Sequence, residues 1–329
     1  MQKTQFNAAN RKEPDSVLVL GAGFVGSHIV RALLDRGHRV TVVSRSRPRD
    51  VAQELTRGAD LVVGDAGVTT TLSEAIAGAE HVVCALGSLM PGEAEQEPQL
   101  DLSLTLQPLL ELLQQLGDGP RLPLTFLSSG GTVYGRCDSF PTPESAPTSP
   151  VSAYGITKLT AEKFVLRYAA LHSTSARVLR ISNAYGTGQV TARGQGVIGA
   201  ALEHCQSGEP LVVFGDGSVS RDFVHVEDVG WAASRLVEIP EGPAIVNVGT
   251  GVATSIAAIH DMAQEESGRP LDVIHKDGRA FDVPRVELDI AVLRSLVDYE
   301  PRPVRAGIRQ TWDALVAGRL DADRSTGGT

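Results

Sequence analysis

The chain predicts an α/β fold: a doubly wound parallel sheet with a smaller carboxyl-terminal α/β domain. Three observations carry this. A short apolar run, Ser16-Val17-Leu18-Val19-Leu20, reads as a strand buried on both faces. It passes directly into Gly21-Ala22-Gly23-Phe24-Val25-Gly26 and then a helical pattern through Ile29, Val30, Leu33 and Leu34 that stops at Gly37. Strand and helix patterns then keep alternating, which makes βαβ units with ligands at the strands' carboxyl ends.

Taken in order, Gly21 permits a tight turn, Gly23 lets a pyrophosphate approach the backbone, and Gly26 allows close packing of helix on strand. The second strand, Arg39 to Val43, ends at Ser44-Arg45-Ser46-Arg47. An acidic residue about 20 positions past the glycine motif would bond a free ribose 2′-hydroxyl. A serine and two arginines stand there instead, a cluster suited to a 2′-phosphate because guanidinium groups bind phosphate in a bidentate manner. NADP(H) is therefore expected over NAD(H), which stays the alternative, as a solvated basic turn is the alternative for the cluster. Asp60 to Val63 is a strand ending at Gly64-Asp65, with a helix through Leu72, Ala75 and Ile76 behind it. His81 to Ala85 is the next strand, with Leu86-Gly87-Ser88 at its end. A leucine-rich helix over Asp101–Leu116 carries Pro108, and a strand over Leu124–Ser128 leads into Ser128-Ser129-Gly130-Gly131-Thr132-Val133-Tyr134-Gly135. A Pro- and Ser-rich stretch, Phe140 to Pro150, reads as a rim of the site.

Next comes Tyr154-Gly155-Ile156-Thr157-Lys158, at the start of a helix to about Leu171. Residues four apart share one helical face, so phenol and ammonium can reach one substrate atom. A free phenol, with a pKa of about 10, is a poor base near neutrality. A neighbouring ammonium favours the phenolate, which suits proton exchange with a sugar hydroxyl during hydride transfer.

Composition narrows the class. The 329 residues are 42% hydrophobic, enough for a real core, and carry a net charge of −9 with pI near 5.4. No basic stripe points to nucleic acid. Cys84, Cys137 and Cys205 are scattered, fitting neither a disulfide framework nor a zinc site. Met1 to Pro14 is polar and lacks the apolar core of a signal peptide, and no apolar run is long enough to cross a bilayer. The expectation is a cytoplasmic protein without metal, membrane or nucleic-acid partner.

These motifs, in this order, resemble the extended short-chain dehydrogenase/reductases, specifically the NAD(P)-dependent nucleotide-sugar epimerase/dehydratase group. The likeness runs from about Val17 to Trp312. It continues through Arg180-Ile181-Ser182-Asn183-Ala184-Tyr185-Gly186, Arg221-Asp222-Phe223-Val224-His225-Val226-Glu227-Asp228 and Asn247-Val248-Gly249. The resemblance implies a Rossmann-type domain over 15–182, with 223–250 returning to it, and a nucleotide-sugar domain over 183–222 and 251–320. Residues 1–14 and 321–329 would be disordered ends. It implies dinucleotide contacts from Gly21, Gly23, Phe24, Val25, Gly26, Ser44, Arg45, Asp65, Ala66, Ala85, Gly87, Tyr154 and Lys158. Asp65 would hold the adenine amino group, and Lys158 the nicotinamide ribose. Tyr154 would be the acid/base. Asn183, Arg221 and Arg279 would bind the phosphates of a nucleoside-diphosphate sugar. Guanidinium groups are natural clamps for a diphosphate, although ion pairs with Asp222 and Asp282 are the structural alternative. By analogy a homodimer is expected through the Leu100–Leu116 and Ser152–His172 helices.

The chain departs from the family pattern at Gly130, where a Ser or Thr usually bonds the reacting oxygen. Ser129 with Thr132 in support is expected to supply that hydroxyl, a water being the other choice. Gly131-Thr132 stand where 4,6-dehydratases carry Asp-Glu, so dehydration is set aside. The remaining readings are NADPH-dependent 4-ketoreductase, NAD-dependent 4-epimerase, and a non-catalytic dinucleotide sensor. Ser44-Arg45 favours the first, and the Ser128–Gly135 stretch looks more like epimerases.

Overall fold

The computed structural model describes residues 16–87, 89–189, 196–239, 241–278 and 283–326. Seven parallel strands form the central sheet: β1 (Ser16–Leu20), β2 (Arg39–Ser44), β3 (Asp60–Val63), β4 (His81–Cys84), β5 (Leu124–Ser129), β6 (Ala176–Ile181) and β10 (Ile245–Val248). Their order is β10-β6-β5-β4-β1-β2-β3. The connections reverse direction between β1 and β4, which opens a crevice at their carboxyl ends.

β1 shows why its sequence is apolar without alternation. It lies between β2 and β4, with Val17 opposite Val40 and Leu18 opposite Val82. Val17 and Val19 face one core cluster with Ile29 and Leu33. Leu18 and Leu20 face the other, with Leu72, Leu109 and Leu112. The first cluster is covered by α1 (Phe24–Asp35) and α8 (Val226–Val237), the second by α5 (Pro98–Asp118) and α6 (Ala153–His172). Helices on both faces and uninterrupted apolar strands are two views of one arrangement.

The segments α2 (Asp50–Leu55), α3 (Thr69–Ala77) and α4 (Pro91–Gln96) complete this half. Two small sheets follow. β7 (Asn183–Tyr185), β9 (Ser220–His225) and β11 (Ala253–Ser255) make one, and β8 (Leu211–Phe214) with β12 (Val273–Lys276) the other. With α7 (Val197–Ser207), α9 (Ile256–Ser267) and α11 (Val304–Thr326) they enclose a third core containing Tyr185, Leu202, Phe223, Ile259 and Trp312. After α10 (Ala291–Leu296), Val297 and Tyr299 pack into the first cluster with Ile290 and Leu293, so this stretch lies against the main sheet.

Candidate active site

At the carboxyl ends of the main strands lies a cleft of about 1940 Å³. Its wall takes Gly21 to Gly26 from the β1 turn, Ser44 and Arg45 from β2, and Asp65 and Ala66 from β3. Ala85 and Gly87 come from β4, and Ser129 and Thr132 from β5. Tyr154 and Lys158 reach it from α6, and Asn183 and Arg221 from the small sheet. Residues singled out from eight separate stretches of sequence thus meet in one space. Arg279 lies outside the described residues, as do Ser88 and Asp282.

The glycine loop is built for close approach. Gly21 has φ +101°, and a Cβ on it would sit 2.6 Å from the Ala85 carbonyl oxygen. A Cβ on Gly26 would lie 2.1 Å from the Gly21 carbonyl oxygen, whereas one on Gly23 would meet nothing within 4 Å. α1 starts just after Gly23, with no side-chain cap and no acidic residue in its first turn. Its first N–H groups therefore remain available to an anion, and the geometry fits a dinucleotide pyrophosphate. Next along the wall, Arg45 is exposed, and the exposed Asp65 accepts a hydrogen bond from the Gly67 N–H at 2.8 Å. Leu89 and Met90, on the stretch before α4, also line the cleft and were not expected.

The helix carrying Tyr154 is fixed at its start from two sides. Ser152 Oγ accepts from the Gly155 N–H at 3.2 Å. Glu95 Oε1, on α4, accepts from the Ala153 N–H at 2.5 Å. Tyr154 is half-buried at the cleft wall. Lys158 is buried, with Nζ 5.8 Å from the Tyr154 ring centroid and 5.3 Å from that of Phe126. It donates to the Leu127 carbonyl at 3.2 Å, so the end of β5 helps to aim the ammonium. One turn further along α6, Glu162 pairs with Arg180 at 2.7 Å and accepts from Ser128 Oγ at 2.5 Å. That carboxylate therefore belongs to β5 and β6.

Gly130 does not line the cleft. A Cβ there would lie 2.6 Å from Leu288 Cδ1 and 2.9 Å from the Arg180 carbonyl oxygen, so this site is closed to a side chain. Ser129 and Thr132 do face the space. Thr132 Oγ1 and Asn183 Oδ1 are buried without a hydrogen-bond partner. Buried polar atoms rarely stay unpaired, so these two are suited to meet a polar ligand. Arg221 Nη1 donates to the Ser220 and Val283 carbonyls at 2.9 and 2.7 Å. Its neighbour Asp222 accepts from Thr250 and Gly251.

Comparison with known proteins agrees with this architecture. A family model described as "NAD dependent epimerase/dehydratase family" matches residues 17–249. A UDP-glucose 4-epimerase from Mycolicibacterium smegmatis is 30% identical over 305 residues, covering 89% of this chain and 96% of that one. A dTDP-6-deoxy-L-talose 4-dehydrogenase (NAD(P)(+)) from Kitasatospora kifunensis is 31% identical over 319 residues, covering 92% and 96%. The crystal structure of a UDP-glucose 4-epimerase with UDP-glucose from Thermotoga maritima superimposes with TM-score 0.86 at 28% identity, covering 92% of this chain and 99% of that one. The chain belongs to the NAD dependent epimerase/dehydratase family, within the extended short-chain dehydrogenase/reductases.

Proposed function

We propose that the protein is an NAD(P)-dependent nucleotide-sugar oxidoreductase that uses NADPH to reduce C4 of a nucleoside-diphosphate 4-ketohexose, 6-deoxy or not. The observation that carries the reading is the meeting of Tyr154 and Lys158 with the glycine loop and Arg221 in one cleft. The bound nicotinamide would supply the electron pair that reduces the C4 carbonyl. Tyr154 donates its phenolic proton to the C4 oxygen as that oxygen becomes a hydroxyl, and later regains a proton from solvent. Lys158, with one N–H held by the Leu127 carbonyl, stabilises the phenolate and bonds the nicotinamide ribose. Ser129, supported by Thr132, bonds the C4 oxygen.

Gly21, Gly23, Phe24, Val25 and Gly26 hold the pyrophosphate. Asp65 and Ala66 take the adenine, and Ala85 and Gly87 line the floor. Asn183, Arg221 and Arg279 hold the diphosphate of the sugar nucleotide. The choice of NADPH rests on Ser44 and Arg45, which line the cleft where an acidic residue would favour a free 2′-hydroxyl. Titration with NADPH and NADH tests it. NADPH is expected to bind more tightly, and Arg45→Ala to lose most of the difference. Equal affinities in the wild-type protein would remove this support.

The second reading is an NAD-dependent 4-epimerase, favoured by the Ser128–Gly135 stretch and by the relative from Mycolicibacterium smegmatis. An epimerase recycles one tightly held cofactor. NAD⁺ that copurifies and survives dialysis selects it. Leu102 and Leu110 on α5 and Ile156 on α6 are exposed, which supports the expected homodimer through these helices. Sedimentation equilibrium measures that state.

A further inference from the structure

Asp222 and Gly249, from two separate motifs, have no direct part in the proposed chemistry, yet they meet at one buried carboxylate. Asp222 sits on β9 with no exposure to solvent. Its Oδ1 accepts from the Thr250 N–H at 2.8 Å and Thr250 Oγ1 at 2.7 Å, with Ser182 Oγ at 3.4 Å. Its Oδ2 accepts from the Gly251 N–H at 3.1 Å and the Leu288 N–H at 3.3 Å. A Cβ on Gly249 would lie 2.5 Å from Oδ2. The glycine of Asn247-Val248-Gly249 is therefore the one residue that lets this turn reach the carboxylate.

The carboxylate organises more than a turn. By binding Leu288 it fixes the end of the 283–288 run alongside β9, where Ser220 N–H donates to the Pro284 carbonyl and Val286 N–H to the Ser220 carbonyl. At the other end of that run, the Val283 carbonyl accepts from Arg221 Nη1 at 2.7 Å. On the opposite edge, β11 pairs Thr254 with Arg221 and Ala253 with Asp222. Arg221, which lines the cleft, is thus held by a segment that Asp222 anchors.

We infer that Asp222 is a positioning residue for diphosphate recognition: it ties Ser182, Thr250–Gly251 and Leu288 to β9 and so sets where Arg221 presents its charge. The inference rests on the reading of Arg221 as a diphosphate ligand. It predicts an effect confined to the nucleotide-sugar half of the cleft. Asparagine is the informative replacement, because both oxygens face N–H donors and either orientation sets an amide N–H₂ against them.

The test is calorimetric titration of the full chain with UDP and UMP, and with dTDP and dTMP, keeping the pair whose diphosphate binds more tightly. NADPH is titrated alongside. The wild-type protein is expected to prefer diphosphate over monophosphate, and Arg221→Ala to lose most of that ratio. Asp222→Asn is expected to cut the ratio about tenfold, equivalent to about 1.4 kcal/mol, with NADPH affinity within about twofold of wild type. Should that variant not fold, Thr250→Val, which removes one donor to the same carboxylate, is expected to cut the ratio about threefold. A wild-type ratio in whichever of these two variants is measured overturns the inference alone, as does a parallel loss of NADPH affinity. A wild-type ratio in Arg221→Ala, or no diphosphate preference in the wild-type protein, overturns the diphosphate reading and the inference with it.

Discussion

Tyr154 and Lys158 stand one helical turn apart, and everything proposed about chemistry converges on that phenol. Tyr154→Phe removes the proton donor and almost nothing else. It is expected to lower turnover by at least about a hundredfold, the smaller end of what a positioned acid contributes, while NADPH affinity is unchanged. Steady-state turnover and cofactor titration on the same preparation check both halves. Residue type and spacing single out the glycine loop and Tyr154-x-x-x-Lys158 in the sequence, and both line the one cleft. Glu95 was not foreseen, because its bond to the Ala153 N–H crosses between helices and leaves no local pattern. Nor could spacing show that Leu288 and the Arg180 carbonyl close the space beside Gly130.

At the scale of elements, β6 was hidden by its own arginines. Arg177 and Arg180 interrupt the apolar run, yet both are buried with their charges engaged. Arg177 donates to the carbonyls of Leu236, Ile239, Glu241 and Pro243 around the end of α8. Arg180 pairs with Glu162 and stacks 4.8 Å from the Tyr134 ring centroid. Partners far away in sequence turned a polar-looking stretch into a central strand. Short α4 escaped for a related reason, since six residues offer little periodicity. The Glu162–Arg180 pair joins α6 to the sheet beside Lys158, so Glu162→Gln leaves an unmatched cation inside. The expected loss is about 3–5 kcal/mol of stability, read from urea unfolding midpoints. A change below about 1 kcal/mol would mean that the pair is not buried in this way.

Across the whole molecule, alternating β and α patterns announced a doubly wound sheet, and the seven-stranded parallel order agrees. The strand order itself could not be read from periodicity, which says nothing about neighbours. In the small sheets Leu211–Phe214 reads as a strand from its apolar run and is β8, whereas β7 and β11 are three residues each, too short to alternate visibly. Among the described residues, no helix is long and apolar enough to cross a membrane. Burial gives the fold a defined acid sensitivity. It holds the His81 imidazole down at about 3, and His225 at about 4. The unfolded chain takes up these protons near the ordinary value of 6.5, so both depressed groups stabilise the fold fully above that pH. The contribution is lost as pH falls from about 6.5 toward about 3–4. At pH 5 the loss from His81 alone is about 2 kcal/mol. Urea unfolding of the wild-type protein and His81→Gln at pH 7.5 and 5.0 measures it as the part of the pH dependence that the variant lacks, the His225 part remaining.

In the proposed reaction this cleft exchanges a proton and an electron pair with C4 of a nucleotide sugar. Incubation with dTDP- and UDP-4-keto-6-deoxyhexoses and NADPH carrying deuterium at its transferable position, followed by NMR of the sugar, tests it most directly. Deuterium is expected at C4 of the product, and none with Tyr154→Phe. Unchanged keto sugars, with the 4-hydroxy sugars UDP-glucose and UDP-galactose also left unconverted in the presence of NAD⁺, would contradict it.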